Sequence, residues 1–245
     1  VEPNRITAAQ NAAKAFIKDQ PSNVRIGIVS FAGTASVVQA PTQNREDLIA
    51  AIDRFQLQRA TAIGSGIIVS LATIFPDAGI DVSALIYGRS GSRGVPLDQS
   101  AKTEKKDFKP VPPGSYSSAA IILLTDGQRT TGPDSVEAAR MAADRGVRIF
   151  TLGFGTKSGE TIGFEGWSMR VRLDEETLKT IASMTRGEYF YAGSAGDLRK
   201  VYESLNSRFL LEKKDMEISA LFAAAAAVAA LVSGVLSLLW FNRIL

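Results

Sequence analysis

The chain contains no cysteine and no histidine. Without cysteine there is no disulfide framework, no zinc–thiolate site and no thiol nucleophile. Without histidine there is no Ser-His-Asp or Cys-His machinery and no imidazole metal site. Any metal must therefore be held by oxygen, which points to Mg²⁺, Ca²⁺ or Mn²⁺. A large excess of one charge is also missing. The net charge is +3 over 245 residues, and the Lys and Arg are scattered, so no nucleic-acid footprint is present. No GxxxxGK[ST] loop and no paired-Asp nucleophile motif occurs. The first residue is Val1 and no signal peptide follows it, so the chain reads as a fragment or a processed product.

What is present is a foldable chain, with 45% apolar and 22% charged residues. Its organising stretch is Ile121-Ile122-Leu123-Leu124-Thr125-Asp126-Gly127. Four apolar residues followed by Thr and an Asp-Gly turn predict a central strand buried on both faces, as in a parallel sheet covered by helices. Asp126 then lies at the carboxyl end of that strand, where open α/β sheets place their ligands.

The rest of the chain alternates strands and helices. Helices are predicted over 4–19, 44–55, 133–145, 174–185 and 197–211, and for the segment that carries Ile67 to Phe75 and stops at Pro76. Strands are predicted at 24–31, 36–40, 147–154 and 188–191, the first two joined through Gly33-Thr34 as an antiparallel edge hairpin. Asp174 is placed at a helix N-cap. The alternation predicts an α/β fold with a doubly wound, mostly parallel sheet and helices on both faces. Residues 88–118, rich in Gly, Ser, Pro and Lys, predict a flexible insertion. Residues 155–172 predict a Gly-rich loop or hairpin carrying Phe164 and Trp167, two candidate partner-contact residues on the ligand edge; the alternative is that they tuck onto their own domain.

Ile218 to Trp240 has no charged residue. As a helix it would be roughly 34 Å long at about 1.5 Å per residue, enough for a hydrocarbon core of about 30 Å. A C-terminal transmembrane helix is expected, with Trp240 as an interfacial anchor and Arg243 beyond it. The expected organisation is a domain over 1–212, a juxtamembrane linker at 213–217, the span at 218–240 and a tail at 241–245.

Thr61 lies in a loop just before a helix that runs back down the sheet, so Thr61 and Asp126 share one edge. A hydroxyl and a carboxylate make half of a hard-cation site. Singly, Asp126-Gly127 is an ordinary turn and Thr61 an ordinary N-cap.

At these positions the chain resembles a family. Thr61-Ala62-Ile63-Gly64 and Leu124-Thr125-Asp126-Gly127 look like the second and third parts of the metal-ion-dependent adhesion site (MIDAS) of von Willebrand factor type A (VWA) domains. With Val1-Glu2-Pro3-Asn4-Arg5, Leu173 to Leu178, Gly187 to Phe190 and the C-terminal span, the chain resembles membrane-anchored bacterial VWA proteins of the Bat (aerotolerance) type. The family's first part, Asp-x-Ser-x-Ser, is not in this chain, so the remaining ligands are expected upstream of Val1. A sheet lacking that strand would expose two unpaired edges and be poorly stable.

The resemblance implies Mg²⁺, or Ca²⁺ or Mn²⁺, held by Thr61 and Asp126, with an open position filled by an acidic residue of a partner protein. It implies partners among related VWA proteins and a MoxR-type AAA+ ATPase, and a bacterial inner-membrane protein whose globular domain is extracytoplasmic. The reading is a protein-interaction module and no enzyme. The alternatives are a metal-free membrane scaffold and a Mg²⁺-dependent hydrolase.

Overall fold

The computed structural model describes residues 5–55, 58, 60–88, 108–126, 128–155, 160–164, 167–171, 173–211 and 219–241. The chain divides into two units, Val1–Phe209 and Leu210–Leu245.

In the first unit, α1 (Arg5–Asp19) precedes an antiparallel hairpin of β1 (Ile26–Phe31) and β2 (Ala35–Thr42). Next come α2 (Arg45–Asp53), α3 (Ile63–Ile74), a 3-10 turn at Pro76–Ala78 and a short α4 (Val82–Tyr87). Then β3 (Ala120–Thr125), α5 (Ser135–Asp144), β4 (Arg148–Phe154), the hairpin β5 (Glu160–Phe164) and β6 (Trp167–Val171), α6 (Glu175–Met184), β7 (Tyr189–Ala192) and α7 (Ala195–Leu211). Several helices start on side-chain caps, among them α4, where Asp81 accepts from Ala84 N–H. Asn44 accepts from Glu46 N–H, Asp134 from Val136 and Glu137 N–H, and Asp174 from Thr177 N–H. Each cap satisfies donors that the first turn leaves open.

Strands β3, β4 and β7 form a parallel sheet in the order β3-β4-β7. Two apolar layers cover it. On one face Ile63, Ile67, Ile68 and Leu71 of α3, the alanines of α5, and Leu178 and Ile181 of α6 meet Ile121, Leu123 and Ile149. On the other, Ala8 and Ala12 of α1 and Leu198, Tyr202 and Leu205 of α7 meet Phe150, Leu152 and Phe154. Each fully buried Leu or Ile stabilises the fold by roughly 1.5–3 kcal/mol. Two buried threonines pin α6 to β4. Thr185 Oγ1 accepts from Ile149 N–H at 3.0 Å, and Thr151 Oγ1 donates to Leu178 O at 3.0 Å.

The strand buried on both faces is β4. In β3, Ile121, Leu123 and Thr125 are buried while Ala120, Ile122 and Leu124 are only half-buried. The reason is position: among the described strands β3 pairs with β4 alone, and β1 pairs with β2 alone. The sheet is thus parted between β1 and β3, with α3 packed against both. Phe31 of β1 lies beside Gly66 of α3, and Ile63 and Ile67 cover β3.

Of the expected insertion at 88–118, residues 89–107 lie outside the described residues. Residues 108–118 are instead laid against the α5–β4 corner. Val111 N–H donates to Asp144 O at 2.8 Å and Tyr116 N–H to Gly146 O at 3.0 Å. Tyr116 also stacks near Phe75, at 5.0 Å between ring centres.

In the second unit, Ser219–Phe241 is a helix, α8. Val228, Leu231, Val232, Val235 and Leu236 are each more than half exposed. The segment expected to span a membrane is therefore helical, yet among the described residues no helix is long and apolar enough to cross a membrane. The side chains described in α8 are Ala223 and residues 226–237, a shorter stretch than the roughly 20 residues a span needs. Residues 213–217 and 242–245, expected as linker and end of the tail, lie outside the described residues.

Candidate functional site

Asp126 leaves the carboxyl end of β3 and is exposed. Gly127 lies outside the described residues. Thr61 is half-buried, one residue before the N-cap of α3. That N-cap is Ala62, which makes no side-chain cap bond, so Thr61 does not cap the helix.

Thr61 is fixed by the loop that follows Asp126. Thr130 N–H donates to Thr61 O at 3.0 Å, and Thr61 N–H donates to Thr130 Oγ1 at 2.8 Å. This reciprocal pair uses the backbone of Thr61 and leaves its hydroxyl for another purpose. Ala60, just before it, has φ 70, a left-handed conformation that costs a non-glycine residue on the order of 1 kcal/mol. Strain at the residue next to a site is held only where the surroundings over-determine it.

The start of α3 and the 130–134 loop touch backbone to backbone. A Cβ at Gly64 would stand 2.4 Å from Pro133 O. At Gly132, with φ +77, it would stand 2.7 Å from Ser65 Oγ. Glycine is needed at both places, at Gly132 for its dihedral as well as its size. The Ser65 and Ser135 hydroxyls beside this junction are buried and have no hydrogen-bond partner among the described residues. Arg129 spans the loop, donating to Gly132 O at 3.1 Å and standing 3.7 Å from Asp134.

Thr61 and the segment just after Asp126 are thus brought to one corner. Their oxygens are of the right kind for a hard cation and too few in number. Among the described residues no group of three His, Cys, Asp or Glu could hold a metal ion. Phe164 and Trp167 face each other across the β5–β6 hairpin register. Their side chains lie outside the described residues.

Thr130, Arg129 and Asp134 were not anticipated. Asp134 carried a signal, since Asp-Ser ahead of an apolar run marks an N-cap. Thr130 carried none, because its partner is 69 residues away.

Two family models, both described as von Willebrand factor type A domain, match residues 1–88 and 98–204. The chain belongs to the von Willebrand factor type A family. A UPF0353 protein of Mycobacterium marinum is 34% identical over 245 residues, covering 95% of this chain and 64% of the relative. The chain therefore spans about three fifths of the length of such relatives. A solved aerotolerance-related membrane protein from Bacteroides fragilis shares the fold, with TM-score 0.59 and 19% identity over 85% of this VWA chain and 90% of that one. So does proximal thread matrix protein 1 from the mussel byssus with a zinc-occupied MIDAS motif, with TM-score 0.50 and 15% identity over 82% of this chain and 42% of that one. None of these names is an enzyme's. The family and fold expected from Thr61-Ala62-Ile63-Gly64 and Leu124-Thr125-Asp126-Gly127 are those found.

Proposed function

We propose that this chain is the interaction domain of a membrane-tethered protein and binds partner proteins through a divalent cation at the Thr61–Asp126 corner. The observation that carries the reading is the reciprocal Thr61–Thr130 hydrogen bonding, which holds the loop hydroxyl beside the segment leaving Asp126. Asp126 supplies a carboxylate and Thr61 a hydroxyl. By resemblance, the remaining ligands are assigned to the family's Asp-x-Ser-x-Ser part, expected upstream of Val1 together with its strand. The cation supplies one open position, which an acidic side chain of the partner fills. Mg²⁺ fits an all-oxygen set, with waters completing its octahedron. The byssus protein supports a metal here, since its own MIDAS motif is occupied by zinc.

The reading is that of a binding module and not of an enzyme. Partners by resemblance are related VWA proteins and a MoxR-type ATPase. Tethering is assigned to α8, whose exposed valines and leucines have no place in water. Phe164 and Trp167 would flank the partner.

The test is calorimetric titration of Mg²⁺ into the protein extended upstream of Val1, and into its Asp126→Ala variant. Saturable binding that the substitution abolishes is the expected result. No binding by the extended, folded parent would overturn the metal and leave the metal-free scaffold.

A further inference from the structure

The stretch Lys109-Pro110-Val111-Pro112-Pro113 is held in one conformation by its own covalent structure. Its prolines fix φ at about −65°. Lys109, Val111 and Pro112 each precede a proline, which pushes them to extended or polyproline II angles. A polyproline II helix repeats about every three residues, so it has three edges.

One edge is docked on its own domain. The Arg145 guanidinium stands 4.3 Å from the Phe108 ring centre. Three residues on, Val111 N–H donates to Asp144 O at 2.8 Å, and Val111 Cγ2 would be 3.1 Å from a Cβ at Gly146. Three further on, a Cβ at Gly114 would stand 2.7 Å from that of Arg186. Pro113-Gly114 closes the ridge with a turn, in which Ser115 N–H donates to Pro112 O at 3.2 Å and Gly114 has φ 75.

The other two edges carry Lys109 with Pro112 and Pro110 with Pro113. All four residues are exposed. They make two x-Pro pairs, Lys109-Pro110 and Pro112-Pro113, and the spacer Val111 is the residue turned to the domain. Polyproline II ligands present paired ridges of this kind to aromatic-lined grooves. Among the described residues the carbonyls of Lys109 and Pro110 accept no bond, so they stay open to the hydroxyl or indole N–H groups of such a groove. A ridge that is already rigid loses little entropy on binding. A plain solvated loop requires neither the docked edge nor the closing turn. Charge narrows the partner further. Lys109 and Arg186 are exposed at the two ends of the ridge, which an acidic rim complements.

We propose that this ridge docks a partner protein whose aromatic-lined, acid-rimmed groove receives the two x-Pro pairs. The ridge precedes the amino end of β3, beside the start of β4, whereas Asp126 leaves the carboxyl end of β3. The proposal goes beyond the cation site and does not rest on it.

The experiment titrates the full chain in detergent, with EDTA present, into isotope-labelled SH3 and WW domains, the probes for grooves that read x-Pro pairs. The signal is the indole N–H of the groove tryptophan, followed by NMR. Saturable perturbation of that signal in at least one probe is expected. Pro110→Ala/Pro113→Ala should weaken binding about tenfold and Val111→Ala less than about twofold, with thermal melts checking that both keep the fold. No perturbation of either probe, equal binding by the double-proline variant, or an equal loss in Val111→Ala would overturn the proposal. So would sedimentation showing self-association that the double-proline variant abolishes, since the ridge would then belong to a second copy. Because EDTA is present, failure here is separate from failure of Mg²⁺ binding.

Discussion

Gly64→Ala and Gly66→Ala make a matched pair on one helix, and the structure predicts opposite fates for them. Both gain helix propensity, at most about 1 kcal/mol. What each new methyl meets is different. At Gly64 it would stand 2.4 Å from Pro133 O, 3.0 Å from Pro133 C and 3.1 Å from Asp134 O, all backbone atoms. That backbone cannot yield freely, because Asp134 caps α5 and Thr130 is bonded to Thr61. Overpacking of this kind costs about 1–3 kcal/mol, and a rigid neighbour puts Gly64 at the top of the range. The net loss is about 2 kcal/mol, which lowers Tm by roughly 4–8 °C for a domain of this size. At Gly66 the methyl would meet the Phe31 ring and Cβ at 3.0 to 3.2 Å, a side chain that can shift. Gly66→Ala should stay within about 1 kcal/mol of the parent. Far-ultraviolet circular dichroism melts of both variants, in the same detergent, read the difference. A Gly64→Ala protein that melts at or above Gly66→Ala would refute the idea that α3 and the 130–134 loop are locked backbone to backbone.

Ser135→Ala, without ligand, should leave stability unchanged or raise it by about 1 kcal/mol, since it removes a buried hydroxyl without a partner; a clear loss in urea unfolding would show that the hydroxyl is satisfied. Thr185→Val strips Ile149 N–H of its acceptor and should cost about 1–3 kcal/mol by the same measurement. Asp174→Ala should cost about 1 kcal/mol and Asp174→Asn much less, because asparagine also caps; equal losses would mean that charge and not capping holds α6. Burial, then the charges of Glu175 and Tyr191, push the Tyr189 hydroxyl up to about 12, and burial alone raises Tyr202 as well. A phenol raised in the folded state contributes stability that is complete below its ordinary value near 10 and is lost as pH rises from there to about 12. Melting followed across that window should fall, with the fall reduced in Tyr189→Phe; an unchanged slope would place the cause elsewhere.

Much of the architecture could be read from local pattern. The Ile121–Leu124 run, Asp174 ahead of two glutamates and the Gly33-Thr34 hairpin each carry their own periodicity or cap chemistry. Deviations arise where the deciding partner is distant. The run in β3 looks buried on both faces because every residue is apolar, but burial depends on a neighbouring strand, and among the described strands only β4 supplies one. Residues 108–118 look like loop by composition and are nevertheless held by Asp144 and Gly146. Thr61 and Asp126 could be singled out through family resemblance. Thr130, which positions Thr61, is invisible to any local rule.

Unless the strand expected upstream of Val1 fills it, the parting between β1 and β3 has a mechanical meaning. Hydrogen-bonded neighbours in a sheet resist sliding, because a shift breaks directional bonds in a row. Across this parting α3 joins the two halves through Ile63, Ile67, Gly66 and Phe31, and such contacts are non-directional. A pull applied at the 126–135 corner enters α3 through Gly64 and Thr61 and becomes shear along that seam. The 126–135 corner is therefore fastened to the most compliant line among the described strands.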